Sequence, residues 1–234
     1  MLSLSINLLF WDDCLPNSTR LRNVKYIINR LTDLNSFLRG KIDSEINIID
    51  YSNHQILDGS KHIPYPAGVY KRSEKINKLL QGCNKDLFGV IDGDCFLKED
   101  HYKIFRDTLL INGKNCCYTF DVCDFSEKDT EQILYDSVDP DTLPFTTRFP
   151  GRAGGLGALF ITDTENLKKH NGFNEKFTTW GGEDGEIYDR ICRDDKITKV
   201  ATTSDKITLY HLNHFSNRSD IRYFNHDEYI RNNF

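Results

Sequence analysis

The sequence predicts an α/β fold in which helices flank a central, mainly parallel sheet. Short apolar runs of strand length alternate with longer stretches whose apolar residues recur at helical spacing. This order of strand, helix and strand is typical of units whose strands pair in parallel. The chain has 234 residues, a length that favours one sizeable core over two small ones, so we expect a single domain over 1–234.

Strands and helices are expected in alternation along the chain. The strands are predicted at 5–11, 46–50, 87–91, 116–122 and 206–210. The helices are predicted at 21–38, 70–80, 100–111, 164–169 and 183–192. In the first helix, Val24, Ile27 and Leu31 share one face and Gly40 follows the last turn, as is typical of a surface helix that ends at a glycine.

The charge of the chain limits the partners it can have. Its net charge is -5, and no stripe of Lys and Arg is present. Nucleic-acid-binding proteins draw affinity from many contacts between basic side chains and phosphates, so this composition argues against a nucleic-acid partner. An acidic protein that binds a diphosphate needs a cation between the two.

The cysteines and the N-terminal segment bear on the cellular location. Seven cysteines occur without a C-x-x-C pair, which indicates neither a disulfide framework nor a zinc ribbon, and we expect free thiols in a reducing compartment. The apolar run 4–11 is too short for a signal sequence or a membrane span. We therefore expect a cytoplasmic protein, with peripheral membrane contact left open.

The triplet Asp92-Gly-Asp94 directly follows the apolar strand 87–91. Open α/β sheets bind ligands at the carboxyl ends of such strands, and two carboxylates one residue apart can reach a divalent ion and a ribose. A plain turn is the alternative, since Asp and Gly both favour turns. A calcium-binding EF-hand is excluded, because Leu97 and Lys103 stand where that loop needs Gly and Glu.

A second acidic cluster, Glu183 and Asp184, begins a predicted helix and follows two glycines. Asp184 shares a helical face with Ile187 and Ile191, so we expect its carboxylate to point inward and to act as a general base. Glu186 is expected on the opposite, polar face. The alternative is that the two acids only stabilise the first turn through the helix dipole.

Two histidines, His211 and His214, follow the last predicted strand. Imidazole beside carboxylate is a common ligand set for a divalent metal. A structural hydrogen-bonding role is the alternative for each histidine.

Together these segments resemble the GT-A class of glycosyltransferases, in particular the β1,4-galactosyltransferase family and its bacterial chondroitin-polymerase-like relatives. The stretches that carry the resemblance are 70–77 (YKRSEKIN), 92–94 (DGD), 154–158 (GGLGA), 171–173 (NGF), 180–184 (WGGED) and 210–211 (YH). The resemblance implies one Rossmann-like GT-A domain, with a nucleotide-binding half at 1–125 and an acceptor and catalytic half at 126–234.

The resemblance also implies roles for individual residues. The nucleotide-binding residues would be Tyr70, Arg72, Asp50, Asp92 and Asn77. The residues at the donor and acceptor sugars would be Glu183, Trp180, Gly182, Arg152 and Gly155. The metal ligands would be Asp94, His211, His214 and Asp92, and the catalytic base would be Asp184.

The sequence departs from the family pattern just before 154–158, where Arg152 and Ala153 stand in place of the aromatic residue that relatives often carry. A guanidinium can pair with a carboxylate through two hydrogen bonds. We therefore expect Arg152 to favour an acidic donor sugar such as a uronic acid.

The implied function is an inverting, Mn²⁺- or Mg²⁺-dependent transfer of a sugar from a nucleotide sugar, UDP-linked, to a hydroxyl of a glycan or lipid-linked acceptor. One alternative is a catalytically silent module that binds carbohydrate or metal. Another is a sugar nucleotidyltransferase, but 11–16 lacks the glycine-rich basic loop that such enzymes carry after the first strand.

Overall fold

The computed structural model describes residues 1–10, 19–50, 60–62, 71–148, 157–177, 181–202 and 206–213. The strands in these ranges are β1 (Ser3–Phe10), β2 (Asp43–Asp50), β3 (Lys61–His62), β4 (Leu87–Asp92), β5 (Cys95–Leu97), β6 (Cys116–Asp124), β7 (Thr146–Thr147), β8 (Leu159–Asp163), β9 (Thr198–Thr202) and β10 (Thr208–His211). The helices are α1 (Thr19–Leu38), α2 (Arg72–Gly82), α3 (Tyr102–Asn112), α4 (Glu127–Tyr135), α5 (Thr164–Lys169) and α6 (Glu183–Ile191). No helix in the described ranges is long and apolar enough to span a bilayer.

The strands form one mixed sheet in the order β3-β2-β1-β4-β8-β6-β10-β5, with β7 and β9 also paired to β6. The strands β3, β2, β1 and β4 run parallel to one another. The strand β8 is antiparallel to both β4 and β6. This arrangement agrees with the predicted α/β fold, whose sheet is parallel in its first half and mixed in its second.

The parallel register brings acidic residues to one edge of the sheet. Leu9 of β1 lies opposite Asp92 of β4, and Phe10 of β1 lies opposite Asp50 of β2. Because these strands run in the same direction, both acids lie at their carboxyl ends. Asp50 is buried, whereas Asp92 is partly exposed.

The strand β6 joins the two parts of the sheet. Its first half pairs with β8 and β9, and its last four residues pair with β10. The strand β10 in turn pairs in the antiparallel direction with the short β5, which follows Asp94. This pairing places His211, the last residue of β10, directly opposite Cys95.

The two faces of the sheet carry two apolar clusters, because successive strand residues point to opposite faces. One cluster receives Val24, Ile27 and Leu31 from α1, as the helical periodicity predicts. The other receives Ile187 and Ile191 from α6.

Most of the predicted elements are present, with ends shifted by a few residues. The elements that went unpredicted are β3, β5, β7, β8, β9 and α4. Of these, α4 had a local signal, since Ser126 precedes it and accepts a hydrogen bond from the backbone N–H of Asp129 at 3.2 Å. The short strands had none, because strands of two to five residues depend on their neighbours in the sheet.

Asn77 joins α2 to the loop that follows α5. Its Nδ2 donates to the carbonyl of Phe173 at 2.8 Å and to Oε1 of Glu175 at 2.9 Å. Its Oδ1 accepts from the backbone N–H of Phe173 at 2.7 Å. The adjacent Gly172 has a φ of +64°, and a Cβ there would lie 2.3 Å from Oδ1 of Asn77.

We therefore expect Gly172→Ala to unfold at a lower urea concentration than the wild type. The methyl group would force the backbone out of its left-handed conformation or push Asn77 away from Phe173, at a cost of roughly 1–3 kcal/mol beyond the backbone term. Gly40→Ala is the matched control, because Gly40 also has a positive φ (+83°) but open space at the Cβ position. Equal losses of unfolding free energy in the two variants would contradict the steric role of Asn77.

Candidate active site

The guanidinium of Arg72 lies at the centre of the site. Its Nη1 is 2.5 Å from Oδ1 of Asp184 and 3.4 Å from Oε1 of Glu183. Its Nη2 is 3.2 Å from Oδ1 of Asp92 and donates to the carbonyl of Gly157 at 3.3 Å. Arg72 is the first residue of α2, so this one side chain connects that helix to the end of β4 and to the start of α6.

Asp184 lies between Arg72 and the backbone of Gly157. A Cβ at Gly157 would come within 2.8 Å of Oδ2 of Asp184, so this position has no room for a side chain. The Asp184 side chain is 17% exposed, which leaves its carboxylate accessible from the site. The predicted base is thus partly exposed, and one of its carboxylate oxygens is held by Arg72.

The buried acid at the start of α6 is Glu183, whose side chain is 1% exposed. Glu186, which was expected on the polar face, is also buried and lies 2.7 Å from Nε of Arg190. The expected position of Glu186 on the polar face is therefore wrong, whereas Asp184 is partly buried and faces the guanidinium of Arg72. The physical reason is that a carboxylate can occupy the buried face when an arginine pairs with it, as Arg190 does with Glu186.

Two glycines shape the turn before α6. Gly181 and Gly182 have φ values of +101° and +91°, a region that glycine adopts without steric cost. The backbone N–H of Gly181 donates to Oε2 of Glu183 at 2.8 Å. The turn at these two glycines thus holds Glu183, and the expected contact of Gly182 with a sugar stays a prediction.

The pKa of Glu183 is raised to about 7. Burial is the largest cause, and repulsion by Asp184 adds to it, whereas Arg72 opposes both. Arg72 lowers the pKa of Glu183 too little to cancel these effects, because it lies closer to Asp184. Its Nη1 is 2.5 Å from Oδ1 of Asp184 and 3.4 Å from Oε1 of Glu183. The buried carboxyl therefore takes up a proton near neutral pH.

A second group of side chains surrounds His211. Its Nδ1 lies 2.9 Å from Oδ1 of Asp124, and its Nε2 lies 3.6 Å from Oδ1 of Asp94. Arg148 in turn holds Asp124 through a bidentate contact, with its Nε donating at 2.9 Å. Burial would raise the pKa of Asp124, but the hydrogen bonds from His211 and Arg148 outweigh it and lower the pKa to about 2.

Asp124 and Arg148 were missed by the sequence prediction. Asp124 had a signal, because it ends a buried strand as Asp92 does, but the predicted strand stopped at 122. Arg148 had none, since it lies 24 residues from its partner in an irregular segment.

Asp94 and His211 fit a divalent metal such as Mn²⁺. Ligand atoms of Asp94, Cys95 and His211 lie within 4.8 Å of one another. Carboxylate and imidazole suit Mn²⁺, and a carboxylate on the far ring nitrogen is the usual means of orienting a metal-binding histidine. Cys95 suits Mn²⁺ less well than Asp94 and His211 do, because its thiol is a soft ligand and Mn²⁺ favours oxygen ligands.

Other predicted residues are placed elsewhere or are not described. Asn77 is engaged with Phe173 and Glu175, so the structure gives it a task in holding a loop, and its nucleotide contact stays a prediction. Asp50 lies at the same sheet edge as Asp92, and its role likewise stays a prediction. The predicted residues that lie outside the described ranges are Tyr70, Arg152, Gly155, Trp180 and His214.

One known protein family matches the part of the chain that contains α6 and β10. Residues 144–215 match the model of the N-terminal domain of galactosyltransferase. The matched segment contains Gly157, Glu183, Asp184 and His211. No curated protein matches the chain in sequence.

The fold as a whole is similar to solved glycosyltransferase structures. Drosophila β1,4-galactosyltransferase 7 in complex with xylobiose gives a TM-score of 0.56 at 15% identity, over 99% of this chain and 80% of that one. GalNAc-T7 with UDP, GalNAc and Mn²⁺ gives 0.59 at 16% identity, over 98% of this chain and 47% of that one. S. aureus TarS 1–349 gives 0.57 at 14% identity, over 90% of this chain and 60% of that one.

The chain therefore has a GT-A fold, as the sequence predicted. The predicted resemblance to galactosyltransferases is confirmed over 144–215. At 14–16% identity, structural similarity establishes the fold, and the chemistry must be argued from the residues of the site.

The raised pKa of Glu183 predicts a specific pH dependence of stability. When a carboxyl whose pKa rises from 4.5 to about 7 on folding ionises, the folded state loses stability. The contribution of Glu183 to the free energy of unfolding is fully present below pH 4.5 and is lost as the pH rises through 7. In Glu183→Gln, which cannot ionise, the free energy of unfolding relative to the wild type should increase between about pH 5 and about pH 8.

Urea unfolding at the two pH values measures this difference. Glu131→Gln serves as the control, because Glu131 is exposed on α4 and should show no such change. A difference between Glu183→Gln and the wild type that stays constant with pH would rule out the titration of Glu183.

Proposed function

We propose that the protein is a metal-dependent, inverting glycosyltransferase that moves a sugar from a UDP-linked donor to a hydroxyl of a glycan or lipid-linked acceptor. The observation that carries this proposal is the bridge made by Arg72 between Asp92, at the nucleotide edge of the sheet, and Asp184, at the start of α6. The complex of GalNAc-T7 with UDP and Mn²⁺ supports the same donor and metal for this fold.

The donor would bind at the carboxyl edge of the sheet. Asp94 and His211 would hold Mn²⁺, which when bound supplies positive charge against the departing diphosphate. Arg72 contributes a second positive charge at the same edge, and Asp92 beside it faces the nucleotide. The charge of the bound metal would thus offset the carboxylates of this edge, so that an anionic donor could bind to an acidic protein.

The acceptor would meet Asp184. Arg72 holds Oδ1 of this carboxylate, and Oδ2 lies beside Gly157, where no side chain intervenes. As the acceptor oxygen attacks the anomeric carbon, its proton passes to Asp184 and the bond between that carbon and the diphosphate oxygen breaks. Attack from the face opposite the diphosphate inverts the configuration of the sugar.

The first test separates donor binding from proton transfer. Asp184→Asn should retain Mn²⁺-dependent binding of UDP and lower turnover by roughly two to four orders of magnitude, because the amide cannot accept the proton. Asp94→Ala should instead lose the Mn²⁺-dependent part of UDP binding. Calorimetric titration with UDP and a UDP-release assay across a panel of UDP-sugars and glycans measure the two effects.

The control for this test is Asp195→Asn, which changes an exposed carboxylate shortly after α6 and should leave both properties unchanged. Full turnover in Asp184→Asn would refute the assignment of the base. Binding of UDP with Mn²⁺, but no release of UDP from any donor in the wild type, would favour a catalytically silent binding module.

A further prediction concerns the partner of the metal-binding histidine. Asp124→Asn should weaken Mn²⁺ binding by about 10–100-fold, because the carboxylate orients the imidazole of His211 toward Asp94. Electron paramagnetic resonance of free Mn²⁺ measures the affinity without requiring turnover. Asp136→Asn, at an exposed position after α4, is the control. An unchanged affinity in Asp124→Asn would contradict the orienting role.

A further inference from the structure

A cavity lies away from the proposed active site. Its volume is about 480 Å³, within the range of sites that bind small molecules. It is lined by α1, β5, the end of α4, the segment 137–141 and Tyr210 of β10.

The cavity and the metal-binding group lie on opposite faces of the β5–β10 pair. Tyr210 lies directly opposite Phe96 in the antiparallel register, and both side chains line the cavity. The next pair in the register is His211 and Cys95, and successive residues of a strand point to opposite faces. A ligand in this cavity would therefore be separated from Asp94 by the thickness of one sheet.

Three aromatic rings form the apolar part of the cavity. The rings of Tyr26 and Phe96 meet edge to face, with centroids 5.3 Å apart. The ring of Tyr210 lies 5.4 Å from that of Phe96. Because Phe96 and Tyr210 are almost fully buried in the core, this surface is rigid.

Charged side chains surround these rings and are held by ion pairs. Nη1 of Arg30 lies 3.1 Å from Glu99, and Nζ of Lys98 lies 3.1 Å from Asp141. The hydroxyl of Tyr210 donates to the same carboxylate of Asp141 at 2.8 Å. Nε of Arg30 is buried and has no hydrogen-bond partner among the described residues. The rim is thus preorganised, and one of its donors is unsatisfied.

The balance of charges restricts what can bind here. Four carboxylates line the cavity, from Glu99, Asp100, Asp139 and Asp141, against the two cations Arg30 and Lys98. This acidic excess disfavours a phosphate or another anion. A wholly apolar ligand would strip water from the charged groups without replacing their hydrogen bonds. A neutral ligand with many hydroxyls satisfies both conditions.

We propose that this cavity binds a neutral carbohydrate. The apolar C–H face of a sugar ring would pack on the partly exposed ring of Tyr26, and its hydroxyls would donate to the carboxylates and accept from Arg30 and Lys98. The site requires neither a nucleotide nor a metal, so it is independent of the transfer reaction. Under the proposed function, it would hold a distal part of a glycan while another part is at Asp184.

The test measures sugar binding without the donor and without metal. The wild type is titrated calorimetrically, in the presence of a chelator, with xylobiose, cellobiose, maltose, lactose and diacetylchitobiose. We expect at least one of these neutral disaccharides to bind. Tyr26→Ala should weaken that binding at least tenfold, whereas Lys25→Ala, at an exposed neighbouring position of α1, should not change it.

Asp184→Asn should bind the same sugar as the wild type does, because Asp184 lies in the other site. Loss of binding in Asp184→Asn would assign the sugar to the active site and overturn the proposal. Binding of none of the five sugars, or binding unchanged in Tyr26→Ala, would also overturn it. If circular dichroism shows that Tyr26→Ala is misfolded, Lys98→Met replaces it with the same expected loss.

The two proposals can fail separately. Sugar binding is measured with a chelator and without UDP. A negative result would therefore not count against the proposed transfer reaction. Conversely, a protein that releases no UDP could still bind a disaccharide in this cavity.

Discussion

Arg72 lies where three carboxylates would otherwise repel one another. Asp92, Glu183 and Asp184 come from distant parts of the chain, and each contacts the same guanidinium. A delocalised cation with five donors can serve several carboxylates at once, which a lysine could not do with the same geometry. The approach of α2, β4 and α6 therefore depends on this side chain. The contacts of Arg72 also explain how the three carboxylates can lie close together.

Different surroundings give the carboxyls of the site different protonation behaviour. Glu183 is buried beside another acid, and its pKa rises to about 7. Asp124 accepts hydrogen bonds from His211 and Arg148, and its pKa falls to about 2. The triplet Asp92-Gly-Asp94 joins these two environments, since Asp92 contacts Arg72 and Asp94 faces His211. One short turn thus links the group suited to proton transfer with the group suited to metal binding.

The antiparallel pair of β5 and β10 separates two further surfaces of different chemistry. Its alternating side chains present Cys95 and His211 to one face and Phe96 and Tyr210 to the other. The first face has the ligand types that suit a divalent metal, and the second has aromatic rings within a charged rim. Three residue pairs between these strands thereby separate two surfaces of different chemistry.

Local sequence patterns were sufficient for the main strands and helices and for the position of Asp92 and Asp94 after a buried strand. These features depend on periodicity and on neighbouring residues, which the sequence shows directly. Only the tertiary structure decided that Glu183 rather than Asp184 is buried, that Asn77 holds the loop at Phe173, and that Arg148 and Asp124 support His211. Each of these depends on side chains that are distant in sequence and meet only when the sheet is assembled. Local propensity carries no information on such contacts, because their energies arise from burial and from pairing across the fold.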